Sequence, residues 1–385
     1  MRIFKLVFMN ALRHKLRTAL TILGIAVAIM AFGLLRTVVS AWYIGVNQAA
    51  PDRLITRSKN GITFTLPLAQ KQTIERIPGV AAVSYSAWFG GFYKDPKDFF
   101  PQIALEGPHG FELYPEFIVD SAALAAFGKE PNAAIVGKVT MDRFGWKVGD
   151  AVRLTGMVYP GNWDFVIRGF YTGRNKGTDL SQFLLNWNYI DQRMQVEVPA
   201  RAGQVGWWVI KIDDPAKAAS VCTAVDKEFE NSSDATLTET EAAFQQGFVA
   251  MAGTIVFSLQ VISFMVIAII LLVAANTMAM TARERISEYA VLKTLGFSGA
   301  HILGLIAGES LLLSCLGGAL GLILMIPLLH AVGVTLRQWF PAFPIDPRIY
   351  PLAAATAVLV GILAAVFPAW QAIRVSIVNG LRRIG

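Results

Sequence analysis

Charged residues are scarce in this sequence. Asp, Glu, Lys and Arg make up only 16% of its 385 residues, whereas soluble domains average about 25%. This shortage argues against a cytosolic enzyme and favours a membrane protein. Histidine and cysteine are also rare, with four and two residues, and their spacing matches no metal site. We therefore expect no metal ion and no cofactor.

Motifs for catalysis and nucleotide binding are missing as well. The sequence contains no Gly-x-x-x-x-Gly-Lys-Ser/Thr phosphate loop and no Gly-x-Ser-x-Gly nucleophile elbow. We therefore expect that this chain is not an enzyme and does not bind ATP through such a loop.

Four long apolar runs are present, and each is close to the 20 or so residues that a membrane-spanning helix needs. The predicted spans cover residues 18–40, 248–280, 302–330 and 350–370. A segment of about 200 residues, 41–247, separates the first span from the second. It is long enough to form its own hydrophobic core.

The net charge of +7 is distributed unevenly. Residues 41–247 hold 20 Lys/Arg and 23 Asp/Glu, a net charge of −3, so the rest of the chain carries +10. Because basic residues mark cytoplasmic segments, both termini, the 281–301 link and the 371–385 tail are predicted to be cytoplasmic. The 41–247 segment and the 331–349 link then lie outside. Because the soluble segment is slightly acidic, we do not expect it to bind nucleic acid. The basic flanks of the spans are expected to contact membrane lipids.

Residues 1–17 alternate apolar and basic side chains at helical spacing. This pattern predicts an amphipathic helix on the cytoplasmic face of the membrane. A simple charged flank of the first span is the alternative.

The 41–247 segment mixes helix and strand patterns. Residues Ala133–Gly137 and Trp207–Ile212 read as strands, Lys138–Phe144 reads as a helix, and residues 66–77 read as another helix before Pro78. This mixed order favours an α+β domain.

Aromatic residues crowd one glycine-containing stretch of this domain. Trp88, Phe89, Phe92 and Tyr93 lie there beside Gly90 and Gly91. Two interpretations stay open, a loop that faces a partner or substrate, and ordinary packing in the core.

The third span carries one charge and several glycines. Glu309 is either a site on a functional pathway or the partner of a neighbouring helix. Gly304, Gly308, Gly317 and Gly321 have the spacing of residues that let helices approach closely.

The most informative motif begins at the end of the second span. It contains Asn276, Met278 and Met280, then Arg283-Glu284-Arg285-Ile286-Ser287-Glu288-Tyr289-Ala290, and it ends at Leu295-Gly296. This motif resembles the FtsX-like permease signature of MacB-type, or type VII, ABC transporters. Tyr289-Ala290 stands where that family commonly has Ile-Gly.

Further stretches resemble the same family, so that the similarity covers nearly the whole chain. They are Lys15–Ile25 before and within the first span, Ile77-Pro78-Gly79-Val80 and Phe144–Asp150 in the domain, and Pro368-Ala369-Trp370 near the end of the fourth span.

The resemblance implies a fold and a location. We expect four transmembrane α-helices and an N-terminal amphipathic helix, with a large α+β periplasmic domain, a MacB-like core domain, inserted between the first and second spans. The protein would be a multi-pass protein of the bacterial inner membrane.

The resemblance also implies partners. A short helix within the 281–301 link, here called the linking helix, would contact a cytoplasmic ABC ATPase. Only 17 residues precede the first span, so this ATPase is expected on a separate subunit. A second permease copy or paralogue would complete a dimer, and a periplasmic adaptor is a further candidate. The residues expected to couple to the ATPase are Arg283, Glu284, Arg285, Glu288, Tyr289 and Lys293.

The implied function is that of a permease subunit for export or mechanotransmission. ATP hydrolysis would move the periplasmic domain and so expel a hydrophobic compound, lipid, lipoprotein or peptide. The alternative is a non-transporting regulator that activates a periplasmic partner such as a cell-wall hydrolase.

Overall fold

The computed structural model describes residues 13–175, 177–336 and 346–374. The chain divides into two compact units, and each is described here by itself. Of the described residues, the helical bundle comprises 13–40, Gly253–Thr335 and 346–374, and the inserted domain comprises Ala41–Ala252. Most of the predicted N-terminal amphipathic helix lies outside the described residues, as do residues 337–345 and the end of the tail.

Four long helices of the bundle are apolar enough to cross a membrane, as the sequence predicted. They are Lys15–Trp42, Gly253–Glu284, Gly299–Leu336 and Ile349–Arg374. The shortest has 26 residues and so extends about 39 Å, more than the 30 Å or so of a bilayer core. The helices extend beyond several of the predicted limits because they continue through polar flanks.

The second span begins later than the apolar run that predicted it. We expected a span from residue 248, but one helix ends at Met251 and the span starts at Gly253. At Ala252 the backbone leaves the helical conformation, and its N–H bonds to the carbonyl of Val249, as in a tightened last turn. Apolar residues continue across this break, so hydropathy does not reveal it.

Small residues bring the spans close together. A buried cluster joins the first, second and fourth spans, and it consists of Ile25, Ala28, Ile29, Phe32, Ile270, Ala274, Ala353, Ala357, Val360 and Ala364. The third span approaches the first span at Gly317 and Gly321. A Cβ atom on Gly317 would lie 2.7 Å from Cβ of Ile25, and one on Gly321 would lie 2.6 Å from the carbonyl oxygen of Ala26.

The inserted domain is built from thirteen described strands and eight described α-helices. The strands are β1 Arg53–Ser58, β2 Leu66–Pro67, β3 Val80–Trp88, β4 Gly91–Phe92, β5 Gln102–Leu105, β6 Phe117–Val119, β7 Ala133–Gly137, β8 Ala151–Gly156, β9 Gly161–Gly173, β10 Phe183–Asn186, β11 Gln204–Val205, β12 Trp207–Ile212 and β13 Thr236–Thr240. The helices are α1 Ile44–Gln48, α2 Lys71–Glu75, α3 His109–Glu112, α4 Ser121–Lys129, α5 Lys138–Phe144, α6 Trp187–Glu197, α7 Ala218–Glu228 and α8 Glu241–Met251.

One mixed sheet forms the framework of this domain. Its strand order is β13-β1-β12-β3-β5-β10-β7-β9-β8-β4, with β6 paired to β9. The pairs β5–β10 and β7–β9 are parallel, and the other neighbours are antiparallel. Fully buried rings, among them Phe89, Trp163, Phe165 and Trp208, fill the core. The predicted α+β class is confirmed.

Two of the predicted strands, now β7 and β12, and the predicted helix α5 have the expected limits. The helix predicted over 66–77 is wrong in its first part. Leu66–Pro67 pairs with β11, a 3₁₀ turn follows, and the α-helix covers only Lys71–Glu75. Pro67 explains the difference, because the residue before a proline avoids the helical region.

Two substitutions in the third span test the close packing of the bundle. Gly321→Val should destabilise the protein by about 1–3 kcal/mol, because the new side chain overpacks the contact with the first span. Gly304→Val in the same helix is the control, since no described heavy atom lies within 4 Å of a Cβ atom placed there. Thermal unfolding of the purified full chain in detergent measures both variants. Equal melting temperatures for the two variants would contradict this view of the interface.

Candidate functional site

The candidate site lies where the second span ends. The span stops at Glu284, Arg285 follows, and the linking helix covers Ile286–Thr294. Gly296 then takes a positive φ of 89°, a conformation that glycine adopts without steric cost. This turn lets the third span begin at Gly299.

Arg285 connects the linking helix to the third span. Its Nε donates to Oε2 of Glu288 at 2.9 Å, and its Nη1 donates to Oε2 of Glu309 at 3.0 Å. The side chain of Arg285 is 13% exposed and that of Glu309 is 9% exposed. Burial lowers the pKa of Arg285, but the hydrogen bond to Glu288 and the nearby negative charges outweigh it, so the pKa lies above its ordinary value. Glu309, for which the sequence left two interpretations open, thus forms an ion pair inside the bundle.

Two arginines near the start of the first span bind acidic residues on either side of Arg285. Arg17 binds Glu284 through two hydrogen bonds of 2.8 Å, a geometry that guanidinium and carboxylate groups favour. Arg13 donates to Oε1 of Glu288 at 2.5 Å. Partial burial raises the pKa of Glu288, but the hydrogen bonds from Arg13 and Arg285 lower this pKa by more than burial raises it. The pKa of Glu288 therefore lies below its ordinary value.

One face of the linking helix is buried against the bundle. Tyr289 is 3% exposed and Ala290 is fully buried, and burial raises the pKa of Tyr289 to about 12. Tyr289 shares a buried apolar cluster with Ala282, Ile302, Ile306, Ala365, Ala369 and Ala372. Lys293 donates from Nζ to the carbonyl oxygen of Ile373 in the fourth span at 2.7 Å. Tyr289 and Lys293, expected to couple to an ATPase, therefore contact the bundle itself.

The opposite face is exposed and apolar. Val291 in this helix is 42% exposed, and Leu295 and Phe297, which follow its last residue, are 70% and 44% exposed. Arg283 in the second span also faces solvent. Sequence reasoning missed the three apolar residues because the neighbouring charges dominated the motif. The spacing of Val291 and Leu295, which are four residues apart and so share a helix face, was the available signal.

The glycines predicted to pack helices differ in their surroundings. Gly317 and Gly321 contact the first span, whereas Gly304 is open among the described residues. Gly308 is half-buried beside Glu309.

The aromatic stretch of the inserted domain is largely core. Phe89 is fully buried, with Tyr159, Trp163 and Phe165 around its ring at 6.1, 5.6 and 5.8 Å. Of the two interpretations left open, packing in the core is therefore the one that the structure supports for Phe89. Trp88, the last residue of β3, is 39% exposed.

The other two members of the stretch are partly buried. Tyr93 packs edge-to-face against Phe144 and Trp146, and Phe92 lies in β4 paired with Thr155. Among the described residues, no group of three His, Cys, Asp or Glu side chains could hold a metal ion.

Comparisons with known proteins cover most of the chain. A family model described as the MacB-like periplasmic core domain matches residues 18–228, and one described as the FtsX-like permease C-terminal domain matches residues 260–377. A search of curated protein sequences gives no match.

Solved structures resemble about half of the chain. The periplasmic region of MacB from Actinobacillus actinomycetemcomitans is 8% identical, with a TM-score of 0.39, and the match covers 53% of this chain and 95% of that one. The extracellular domain of the ABC-type transporter YknZ from Gram-positive bacteria is 12% identical, with a TM-score of 0.36 and coverages of 49% and 100%. A domain of a permease protein from Porphyromonas gingivalis is also 12% identical, with a TM-score of 0.35 and coverages of 50% and 93%.

The Arg285–Glu309 pair gives a stability test. Arg285→Met should lower the free energy of unfolding by about 3–5 kcal/mol, because it leaves the Glu309 carboxylate buried without its partner. The double variant Arg285→Met/Glu309→Leu should recover most of this loss, since it removes both charges. Thermal unfolding in detergent measures all variants.

Arg283→Met is the matched control for this test. Arg283 is exposed and forms no hydrogen bond or ion pair with any described residue. If Arg285→Met costs no more than Arg283→Met, the pair does not hold the linking helix.

Proposed function

Because the chain belongs to the MacB/FtsX-like, type VII permeases of ABC transporters, we propose that it transmits ATP-driven movement from a separate ATPase subunit to its MacB-like domain. The bundle would receive the movement at the linking helix. The inserted domain would use it to expel cargo.

The two faces of the linking helix carry this proposal. One face is anchored by the ion pairs of Arg285 and by the buried Tyr289. The other presents Val291 to solvent, next to the exposed Leu295 and Phe297 that follow the helix. Exposed apolar groups beside charged ones are typical of a surface that another protein covers. An ATPase that docks there would push on an element that is fixed to the bundle.

Ion pairs and hydrogen bonds near the linking helix would transmit such a movement to every span. Arg13 lies just before the first span and Arg17 lies within it, Glu284 ends the second, and Glu309 lies in the third. Lys293 reaches the fourth span through the carbonyl of Ile373. ATP binding would shift the population of two states only if the ATPase contacts these states with different free energies.

The charge distribution supports the membrane orientation that we propose. Both termini and the linking helix would face the cytoplasm, and the inserted domain would face the periplasm, in the inner membrane of a bacterium. The guanidinium of Arg374 lies 4.0 Å from the centre of the Trp370 ring at the end of the fourth span. An aromatic and a basic residue together are typical of the boundary between membrane and water.

Cargo and partners follow from the family. We propose a dimer with a second copy or a paralogue, with a periplasmic adaptor as an additional partner, and a hydrophobic compound, lipid, lipoprotein or peptide as cargo. A regulator that activates a periplasmic hydrolase without transport would use the same coupling. It would differ in what the inserted domain contacts.

The exposed face of the linking helix can be tested by pull-down. The double variant Val291→Asp/Leu295→Asp should lose the co-purifying ATPase, because two carboxylates would be buried without partners at the interface. The wild-type chain should retain the ATPase. Affinity purification of the full chain from membranes, followed by mass spectrometry, measures the bound subunit.

A matched control is Val196→Asp. Val196 is 83% exposed in the inserted domain, so its substitution adds a surface charge away from the linking helix. It should retain the ATPase. Retention of the ATPase by the double variant, with an unchanged melting temperature, would rule out this docking face.

A further inference from the structure

The inserted domain contains a buried cation that the proposed coupling at the linking helix does not use. Arg53 is the first residue of β1, and its side chain is 3% exposed. A buried arginine is unfavourable unless several acceptors surround it. The identity of those acceptors therefore indicates what the residue holds together.

Two carboxylates, one carbonyl and one ring surround Arg53. Its Nε donates to Oε2 of Glu241 at 2.9 Å, its Nη2 donates to Oε1 of Glu116 at 2.6 Å, and its Nη1 donates to the carbonyl of Leu113 at 2.5 Å. The ring of Tyr114 lies 4.2 Å from the guanidinium carbon. These contacts engage all three nitrogen atoms of the guanidinium group and one of its two faces.

Glu241 joins both chain connections of the domain. It is the first residue of α8, which ends at Met251, two residues before the second span begins. Its Oε2 also accepts the backbone N–H of Ala50 at 2.8 Å. Ala50 follows α1, which itself follows the first span. One carboxylate therefore binds the segment that arrives from the first span and the segment that leaves for the second.

The helices α1 and α8 lie side by side at this point. A Cβ atom on Gly45 of α1 would lie 3.0 Å from Oε1 and 3.6 Å from Cγ of Gln245 in α8. The two connecting helices are thus in direct contact, and Arg53 ties their ends to the sheet.

We propose that Arg53 is a positioning residue that makes α1, α8 and the sheet one rigid body, so that movement of the spans reaches the inserted domain without loss. This inference rests on the proposed function, because it concerns how the movement is passed on. Arg53 acts through Glu241, because this carboxylate accepts from both Arg53 and the backbone of Ala50.

Hydrogen exchange of the full chain with its ATPase, with and without ATP, tests the inference. In the wild type, ATP should change exchange in the spans and in the inserted domain. In Arg53→Met the spans should still respond, whereas the response of the inserted domain should be lost. Arg53→Lys keeps the buried charge but cannot bind both carboxylates with a planar fork. If Arg53→Met does not fold, Arg53→Lys replaces it in the same experiment, with the same expected result.

Arg57→Met is the matched control. Arg57 lies on the same strand and pairs with Glu239 at 3.0 Å, with 23% of its side chain exposed. Its substitution removes an ion pair of the domain but leaves both connections in place. The inserted domain of this variant should respond to ATP as in the wild type.

A disulfide separates positioning from stability. Gly45→Cys/Gln245→Cys, in a chain with Cys222 and Cys315 replaced by serine, should cross-link α1 to α8 and restore the response lost in Arg53→Met. Reduction should abolish it again. Arg53 is not a positioning residue if ATP leaves hydrogen exchange of the inserted domain unchanged in the cross-linked protein. The same holds if ATP changes this exchange in Arg53→Met as much as in the wild type. If ATP does not change hydrogen exchange in the spans of the wild type, the proposed function is contradicted as well.

Discussion

The arrangement of the bundle depends on the ion pair between Arg285 and Glu309. Glu309 lies ten residues into the third span, about 15 Å along its axis, and a carboxylate at that depth requires a partner. Its partner comes from the segment just before the linking helix, at a distance of 3.0 Å. The chain must therefore fold back on the third span. This return buries Tyr289 and leaves Val291 and Leu295 exposed, so one interaction sets which face of the linking helix a partner can contact.

The inserted domain also contains an arginine that is bound by two carboxylates. Arg53 lies between Glu116 and Glu241, as Arg285 lies between Glu288 and Glu309. In both cases a largely buried guanidinium contacts carboxylates from separate elements, and each carboxylate compensates part of the desolvation of the cation. Because the pairs Arg53–Glu241 and Arg285–Glu309 are largely buried, salt screens them less than it screens a surface ion pair.

The sequence predicted what depends on composition and local pattern. The four spans follow from their apolar length, and β7 followed by α5 follows from a short apolar run and a helix pattern. The break at Ala252 could not be predicted, because it is a backbone event inside a continuous apolar run. Hydropathy could not assign Phe89 to the core, since that depends on which side of the sheet the residue faces. The partner of Glu309 also stayed open, because the pair forms only when the linking helix folds back.

The ion pairs of Arg285 and Arg53 have a defined direction, and they lie where movement would enter the spans and where it would pass to the inserted domain. Apolar burial stabilises a bundle but has no preferred direction, so helices held by it alone can slide or rotate with little cost. A guanidinium between two carboxylates allows few orientations. Within the bundle the close approach at Gly317 and Gly321 adds a steric limit, because backbone atoms there meet without an intervening side chain. Together these contacts leave few ways for a span to move separately from the linking helix, which is the property that transmission of movement requires.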